Sequence, residues 1–390
     1  MKNQTLTTIL VCFLMNMLDG MDVMVVSYAA PSISKAWGVL PTALGVVFSA
    51  GLLGMSVGAM FLAPRADKIG RKNMILICNV LMGSSVFLTN WATSVEMLTF
   101  FRIVSGIGIG GMLASTATLT AEYAPKASKD FWVSLVMAGY PIGAVLSGLL
   151  AAQIIPSMGW GAIFQLAGVV TFLTLPIVYF FLKESEAFLS VKKQQTTSVT
   201  ALLQPNYKKQ TIGLWVAIFM AFATLYFLTM WIPKLASVTN ISEKLAIYAG
   251  TIFNLGAFFG IVSQGYLSSQ WGLTKTIAFY LFFTAALMLA FGFIEQELFV
   301  LVSFGLLGFG IQGGFVGMYS LAARIYPTEI RATGVGWAVG AGRIGAILGP
   351  LLGGMLIAAG LSMATNFVIF ALPTTIAAIA TLLIRTTQAS

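Results

Sequence analysis

The chain has 390 residues, 58% of them hydrophobic and only 8% charged, with a formal net charge of +9. A water-soluble domain carries about 25% charged residues, so this composition excludes a water-facing surface and the soluble classes with it. There is no His, and the two cysteines, Cys12 and Cys78, lie in apolar runs. That leaves no metal-ligand spacing, no disulfide frame and no histidine relay, so neither a cofactor nor an enzymatic constellation is expected.

Taken in chain order, the apolar runs predict twelve helices, each long enough to cross a bilayer. Helix 1 (5–30) carries "LDGMD", which sets two carboxylates, Asp19 and Asp22, in otherwise apolar sequence. It is too long for a cleavable signal and carries acids, so it reads as a retained span. Helices 2 to 6 follow at 42–63, 74–92, 96–121, 131–152 and 160–182. A hydrophilic linker covers 183–210, and helices 7 to 12 are predicted at 211–237, 244–267, 274–293, 296–322, 334–358 and 363–385. The fold class is an all-α polytopic membrane protein.

With both termini on the cytoplasmic side, only Lys35, Lys234 and Lys244 of the loop cations fall outside. The remaining loop lysines and arginines lie inside, a positive-inside bias that accounts for the net charge without a nucleic-acid partner. Two arginines, Arg102 and Arg343, fall within helices 4 and 11.

The chain resembles itself at an offset of 202 residues, which aligns Pro31 with Pro233, Gly70 with Gly272, "GIGIGG" (106–111) with "GFGIQG" (308–313) and "IGAVL" with "IGAIL". Two six-helix halves are expected, 1–182 and 211–390, joined by the linker. The buried charges are not duplicated. Asp19, Asp22 and Arg102 align with Ala221, Thr224 and Phe304, and Arg343 aligns with Pro141.

A charge at a helix centre costs at least about 2.5–3.5 kcal/mol in a membrane, so each is a functional candidate. Asp19 and Asp22 are spaced i, i+3 and share one helix face. Counted from the outer ends of their helices, Asp22 lies roughly 12 Å deep and Arg102 roughly 9 Å, so an ion pair is expected between them. One arginine needs one partner, which makes Asp19 the candidate proton carrier. Arg343, roughly 15 Å into helix 11, suits bidentate capture of a carboxylate. Tyr140, Tyr226, Trp231, Tyr319 and Trp337 are candidate aromatic walls, and Asn254 and Gln312 candidate hydrogen-bond partners.

Several motifs resemble the major facilitator transporters, and the two-repeat plan is similar to theirs. "ADKIGRKNM" (66–74) resembles the loop signature between helices 2 and 3, and "RIVSGIGIGG" (102–111) the helix 4 signature. "RIYPTEIRATGVG" (324–336) resembles the junction after helix 10. "DGMD" is similar to the Asp-Gly-x-Asp motif of the aromatic acid:proton symporters. That resemblance implies a substrate path between the halves and roles in transport for Asp19, Asp22, Arg102, Glu122, Arg331 and Arg343. It also implies cytoplasmic gating by Asp67, Gly70, Arg71, Glu122, Glu329 and Arg331. The expected protein is a monomeric, multi-pass carrier of the bacterial inner (plasma) membrane, with lipid around it. It takes up a small organic acid, such as benzoate, hydroxybenzoate or muconate, with protons. Sugar or other neutral-solute symport and proton-antiport export are the alternatives. Ser147–Gly148 in helix 5, where exporters of this plan carry Gly-Pro, speaks against export. "KESEAF" (183–188) reads as scaffold.

Overall fold

A computed structural model describes residues 3–125, 129–184, 202–237, 242–293, 296–326 and 328–384. Twelve long helices make up nearly all of them, and no strand occurs among the described residues. They are α1 (Asn3–Trp37), α2 (Pro41–Phe61), α3 (Arg71–Leu88), α4 (Val95–Tyr123), α5 (Gly139–Met158) and α6 (Trp160–Phe181). Next come α7 (Pro205–Ser237), α8 (Glu243–Trp271), α9 (Leu273–Ala290), α10 (Glu297–Ile325), α11 (Thr328–Ala358) and α12 (Met363–Leu383). Each is long and apolar enough to cross a membrane.

The ends follow local chemistry. Pro41 opens α2 at a position where its missing N–H costs nothing. Ser94 and Ser362 cap α4 and α12, their hydroxyls accepting from the Met97 and Thr365 amides at 3.2 Å. Sequence reading ended helix 1 before Pro31, but α1 continues to Trp37, while α7 passes Pro233 and ends at Ser237 as expected. Hydropathy marks the apolar slab, whereas a helix can run on beyond it with one backbone bond missing. Helix 5, expected unbroken from 131, is instead a short helix Lys129–Met137, a break at Ala138, and α5. Pro141 has no N–H for the carbonyl of Met137, and its ring crowds that turn. At the repeat-related position Arg343 keeps its N–H, and α11 runs unbroken from Thr328.

By contact the chain divides into one unit of Met1–Lys192 with Ala236–Thr251 and another of Lys193–Leu235 with Ile252–Ser390. In the first, α2 and α4 touch backbone to backbone. A methyl on Gly54, Gly58 or Gly106 would collide with the carbonyl of Ile103, Ile107 or Gly51 respectively. In the second, α8 and α10 make the same contacts 202 residues later, Gly256 on Gly305, Gly260 on Phe309 and Gly308 on Phe253. Gly143 of α5 lies on Met17 of α1, and Gly345 of α11 on Phe219 of α7, at the same offset. Lipid tails are as apolar as leucine, so such close approach supplies the packing energy that hydrophobic burial cannot. The internal repeat is therefore reproduced contact by contact. Outward-facing side chains such as Leu173 on α6 and Leu372 on α12 remain about two-thirds exposed, as lipid contact requires.

Candidate functional site

Two polar sites stand out, one in each unit. In the first, α1 and α4 bring Asp22 and Arg102 together, and Arg102 Nη1 donates to Asp22 Oδ1 at 2.9 Å. Asp19, one turn earlier on α1, is as deeply buried as Asp22, each only 1% exposed. A glycine at 51 makes room for the guanidinium. A methyl built there would stand 3.4 Å from Nη2 and 3.5 Å from Nε, ordinary contact, so only a larger side chain would displace Arg102. On the other flank Gly20 lies against the backbone of Tyr140, which presses α5 onto the acid-bearing turn of α1. Tyr140 itself is half-buried.

At the corresponding place in the second unit there is no charge. Phe304, aligned with Arg102, packs with Phe291 and Phe367 at ring-centroid distances of 5.4 and 6.5 Å. Thr224, aligned with Asp22, bonds to Thr374 at 3.0 Å. The same scaffold is thus stable without the ion pair.

The second polar site is built on α7, α10 and α11. Arg343 is half-buried. Arg343 and Tyr226 both act electrostatically on the Tyr319 hydroxyl. Phe222 and Phe315 complete an aromatic wall. Phe222 lies 4.6 Å from Phe315 and 5.9 Å from Tyr226, and Phe315 lies 5.3 Å from Tyr319. The α11 backbone at Gly342, next to Arg343, rests against Ile218 and Phe222. Gln312 (7% exposed) precedes Phe315 and Tyr319 by three and seven residues, on the same face of α10. Asn254 of α8 is fully buried.

The structure does not gather every expected aromatic here. Trp231 is buried and donates from Nε1 to the Pro350 carbonyl at 2.9 Å, a packing tie between α7 and α11. Trp337 leans on Trp215 at 6.1 Å and is 48% exposed, on the stripe that continues through Ile344, Leu348 and Met355. Six residues from Arg343, it projects about 120° away from it. Phe222 and Phe315 were missed because phenylalanine is abundant and ordinarily core. Their signal was the four-residue spacing from Tyr226 and Tyr319.

Of the expected gating residues, Gly70, Arg71 and Glu122 are described, while the side chains of Asp67, Glu329 and Arg331 lie outside the described residues. Arg71 Nη2 meets Glu122 Oε1 at 3.3 Å. Glu184, read from sequence as scaffold, holds this corner together. Its carboxylate accepts the N–H groups of Arg71 and Lys72 at 2.9 and 3.2 Å, so it caps the start of α3. Its own carbonyl accepts from the Tyr123 hydroxyl at 3.0 Å. Gly70, at φ +96°, sets the turn, and a methyl there would strike the Glu184 carboxylate. At the junction between α10 and α11, burial pushes the Tyr326 phenol above its usual range against the opposing effect of its bond to Thr211 at 3.0 Å. It therefore remains a donor. Among the described residues no three His, Cys, Asp or Glu gather as metal ligands.

Twelve apolar helices in two structural repeats, with charges buried inside, define a multi-pass membrane transporter. The chain belongs to the Major Facilitator Superfamily, whose family model matches residues 12–295 and 214–390. It is a transporter and not an enzyme. The chain is 31% identical to the 4-hydroxybenzoate transporter PcaK of Pseudomonas putida over 385 residues, 90% of this chain and 86% of that one. A 3-(3-hydroxy-phenyl)propionate transporter of Escherichia coli K12 is 33% identical, with 92% of this chain and 89% of the relative covered. Among solved structures, the partially occluded, inward-open xylose transporter XylE from E. coli matches with a TM-score of 0.82, covering 100% of both chains at 18% identity. That last likeness is one of fold alone.

Proposed function

We propose that the protein takes up a small aromatic carboxylate together with protons, by alternating access, across a bacterial plasma membrane with both termini cytoplasmic. The observation that carries this reading is a duplicated scaffold with unduplicated charges: acids with Arg102 in one unit, and Arg343 among aromatic rings in the other. The guanidinium docks the carboxylate by a forked pair of hydrogen bonds, and Phe222, Tyr226, Phe315 and Tyr319 hold the ring. Asn254 and Gln312 supply hydrogen bonds to ring substituents. The names of the relatives, which are 4-hydroxybenzoate and hydroxyphenylpropionate transporters, support the same substrate class.

Asp19 carries the proton. It is a second carboxylate buried one turn from Asp22 and Arg102, where charge is costly in a membrane, and protonation makes it neutral. Importing the anion with at least one proton avoids about 2.3 kcal/mol of opposing work per charge for every 100 mV of membrane potential. Asp22 and Arg102 couple that proton to the conformational cycle. Arg71, Glu122, Gly70 and Glu184, with Asp67, Glu329 and Arg331, govern the cytoplasmic gate. One polypeptide carries both sites, so it acts as a monomer. Neutral-sugar transport gains nothing from Arg343, and α5 carries Ser147–Gly148 where α11 has Gly349–Pro350, a pattern that favours uptake over export.

Binding and transport test the two halves of the reading separately. Arg343→Gln is expected to weaken 4-hydroxybenzoate binding about tenfold or more, the loss of about 1.4 kcal/mol. Unchanged binding would remove Arg343 from the docking role. Asp19→Asn is expected to abolish pH-driven accumulation while substrate exchange at equal pH continues. Accumulation at the wild-type level would show that another group carries the proton.

A further inference from the structure

Below the two acids, α1 carries a run of polar side chains on its inward face: Gln4, Thr8, Cys12 and Asn16, spaced by four residues, then Asp19. At 100° per residue these fall within about 120° of the helix circumference. Thr8 and Cys12 are 0% exposed and Asn16 1%, while Gln4 is half-buried. The facing helix α4 presents Thr116 and Thr120, also 0% exposed and also four apart. Asn16 Nδ2 donates to Thr116 Oγ1 at 3.4 Å and to the Cys12 carbonyl at 3.0 Å, and the Thr120 hydroxyl donates to the Thr116 carbonyl at 2.7 Å. Two antiparallel helices therefore share a polar seam that leads from Asp19 toward the N-terminal end of α1.

Two observations mark the seam as more than packing. First, Gln4 Nε2, Thr8 Oγ1 and Asn16 Oδ1 are buried without a hydrogen-bond partner among the described residues. Each would cost about 1–3 kcal/mol unpaired, and lipid offers no partner, so water is the partner they call for. Second, the repeat does without this polarity at the deeper positions, although Gln4 and Thr8 at the end of the seam align with the polar Asn206 and Gln210. Cys12, Asn16 and Asp19 align with Leu214, Ile218 and Ala221, and Thr116 and Thr120 with Met318 and Ala322, all buried and apolar. The scaffold packs well with hydrocarbon at these positions, so the polar version in the first unit serves something else.

We propose that this seam is a hydrated proton path linking Asp19 to the cytoplasmic end of α1. It rests on the reading of Asp19 as the proton carrier. The protonated Asp19 carboxyl gives its proton to a seam water and becomes a carboxylate. That water passes a proton on through its neighbours and the Thr116 and Thr120 hydroxyls, each carrier accepting one proton as it releases another. One proton reaches the cytoplasm for each one lost by Asp19. The Asn16 amide is a positioning residue that orients the first water.

The test compares two activities of full-length protein in proteoliposomes: accumulation of 4-hydroxybenzoate driven by an imposed pH gradient, and exchange of the same substrate at equal pH. Exchange needs no proton release. Asn16→Leu and Thr116→Val are expected to lower accumulation about tenfold or more while exchange stays within about twofold, and Thr116→Ser restores accumulation. Wild-type accumulation in both variants overturns the path while leaving the role of Asp19 intact. Wild-type accumulation in Asp19→Asn overturns the carrier reading and the path with it. If Asn16→Leu loses exchange as well, the Thr116 pair decides: a Ser variant that accumulates where Val does not supports the path, and equal behaviour of the two overturns it.

Discussion

Arg102 of α4 holds Asp22 of α1 through a 2.9 Å bond in which the two side chains are only 4% and 2% exposed. A buried pair of this kind contributes little net stability, but removing one partner strands the other charge at a cost of about 3–5 kcal/mol. Arg102→Gln is therefore expected to lower the thermal midpoint in detergent more than the double variant Asp22→Asn with Arg102→Gln. The second unit, which puts Thr224 and Phe304 at these positions, already illustrates the neutral solution. A double variant less stable than Arg102→Gln alone would contradict the charge-stranding account.

The glycines of α2 make a sharper contrast. Gly51→Ala is expected to fold and transport, because its methyl reaches the Arg102 guanidinium only at 3.4 Å, whereas Gly51→Leu displaces the arginine and stops transport. Gly54→Ala, three residues away, drives a methyl into the Ile103 carbonyl and is expected to cost about 1–3 kcal/mol. Thermal midpoints and uptake rates of the three variants check the order.

Much of this was legible in the sequence, for physical reasons. Bilayer thickness forces twelve apolar runs, and the cost of buried charge singles out Asp19, Asp22, Arg102 and Arg343. Depth arithmetic put Asp22 and Arg102 at similar levels, which made their bond an expectation. The break at Ala138 was missed because hydropathy does not register the lost N–H of Pro141. Trp337 was placed on the pocket side because an aromatic residue near Arg343 along the chain need not share its helix face. Glu184 looked like a loop acid, and only the fold brings it to the start of α3. Asn16 and Thr116 drew no notice, since isolated polar residues are common in transmembrane helices, and their pairing across α1 and α4 appears only in three dimensions.

At the cytoplasmic corner, Glu184→Gln removes the negative charge facing the start of α3 and is expected to cost about 1 kcal/mol, an effect that shrinks in high salt. Gly70→Ala should cost more, about 1–3 kcal/mol, because φ of +96° strains any L side chain and its methyl meets the Glu184 carboxylate. Adding Glu184→Ala to Gly70→Ala relieves the collision but not the strain, so stability is recovered only in part. Full recovery, read from thermal midpoints, would mean that backbone strain contributes nothing.

The aromatic wall should set affinity rather than coupling. Phe315→Ala removes the ring that touches both Phe222 and Tyr319, and is expected to weaken 4-hydroxybenzoate binding by about 0.5–1.5 kcal/mol beyond the lost area. The proton requirement for uptake should not change. A variant that binds normally but accumulates without a pH gradient would place Phe315 in the coupling machinery instead.

The most direct measurement is substrate accumulation by the unmodified protein in proteoliposomes under an imposed inward pH gradient, screened over 4-hydroxybenzoate, benzoate, muconate and xylose. Gradient-driven accumulation of an aromatic carboxylate is expected, with collapse on addition of a protonophore and no uptake of xylose. Xylose accumulation without uptake of any carboxylate, or carboxylate uptake indifferent to the gradient, would contradict that expectation.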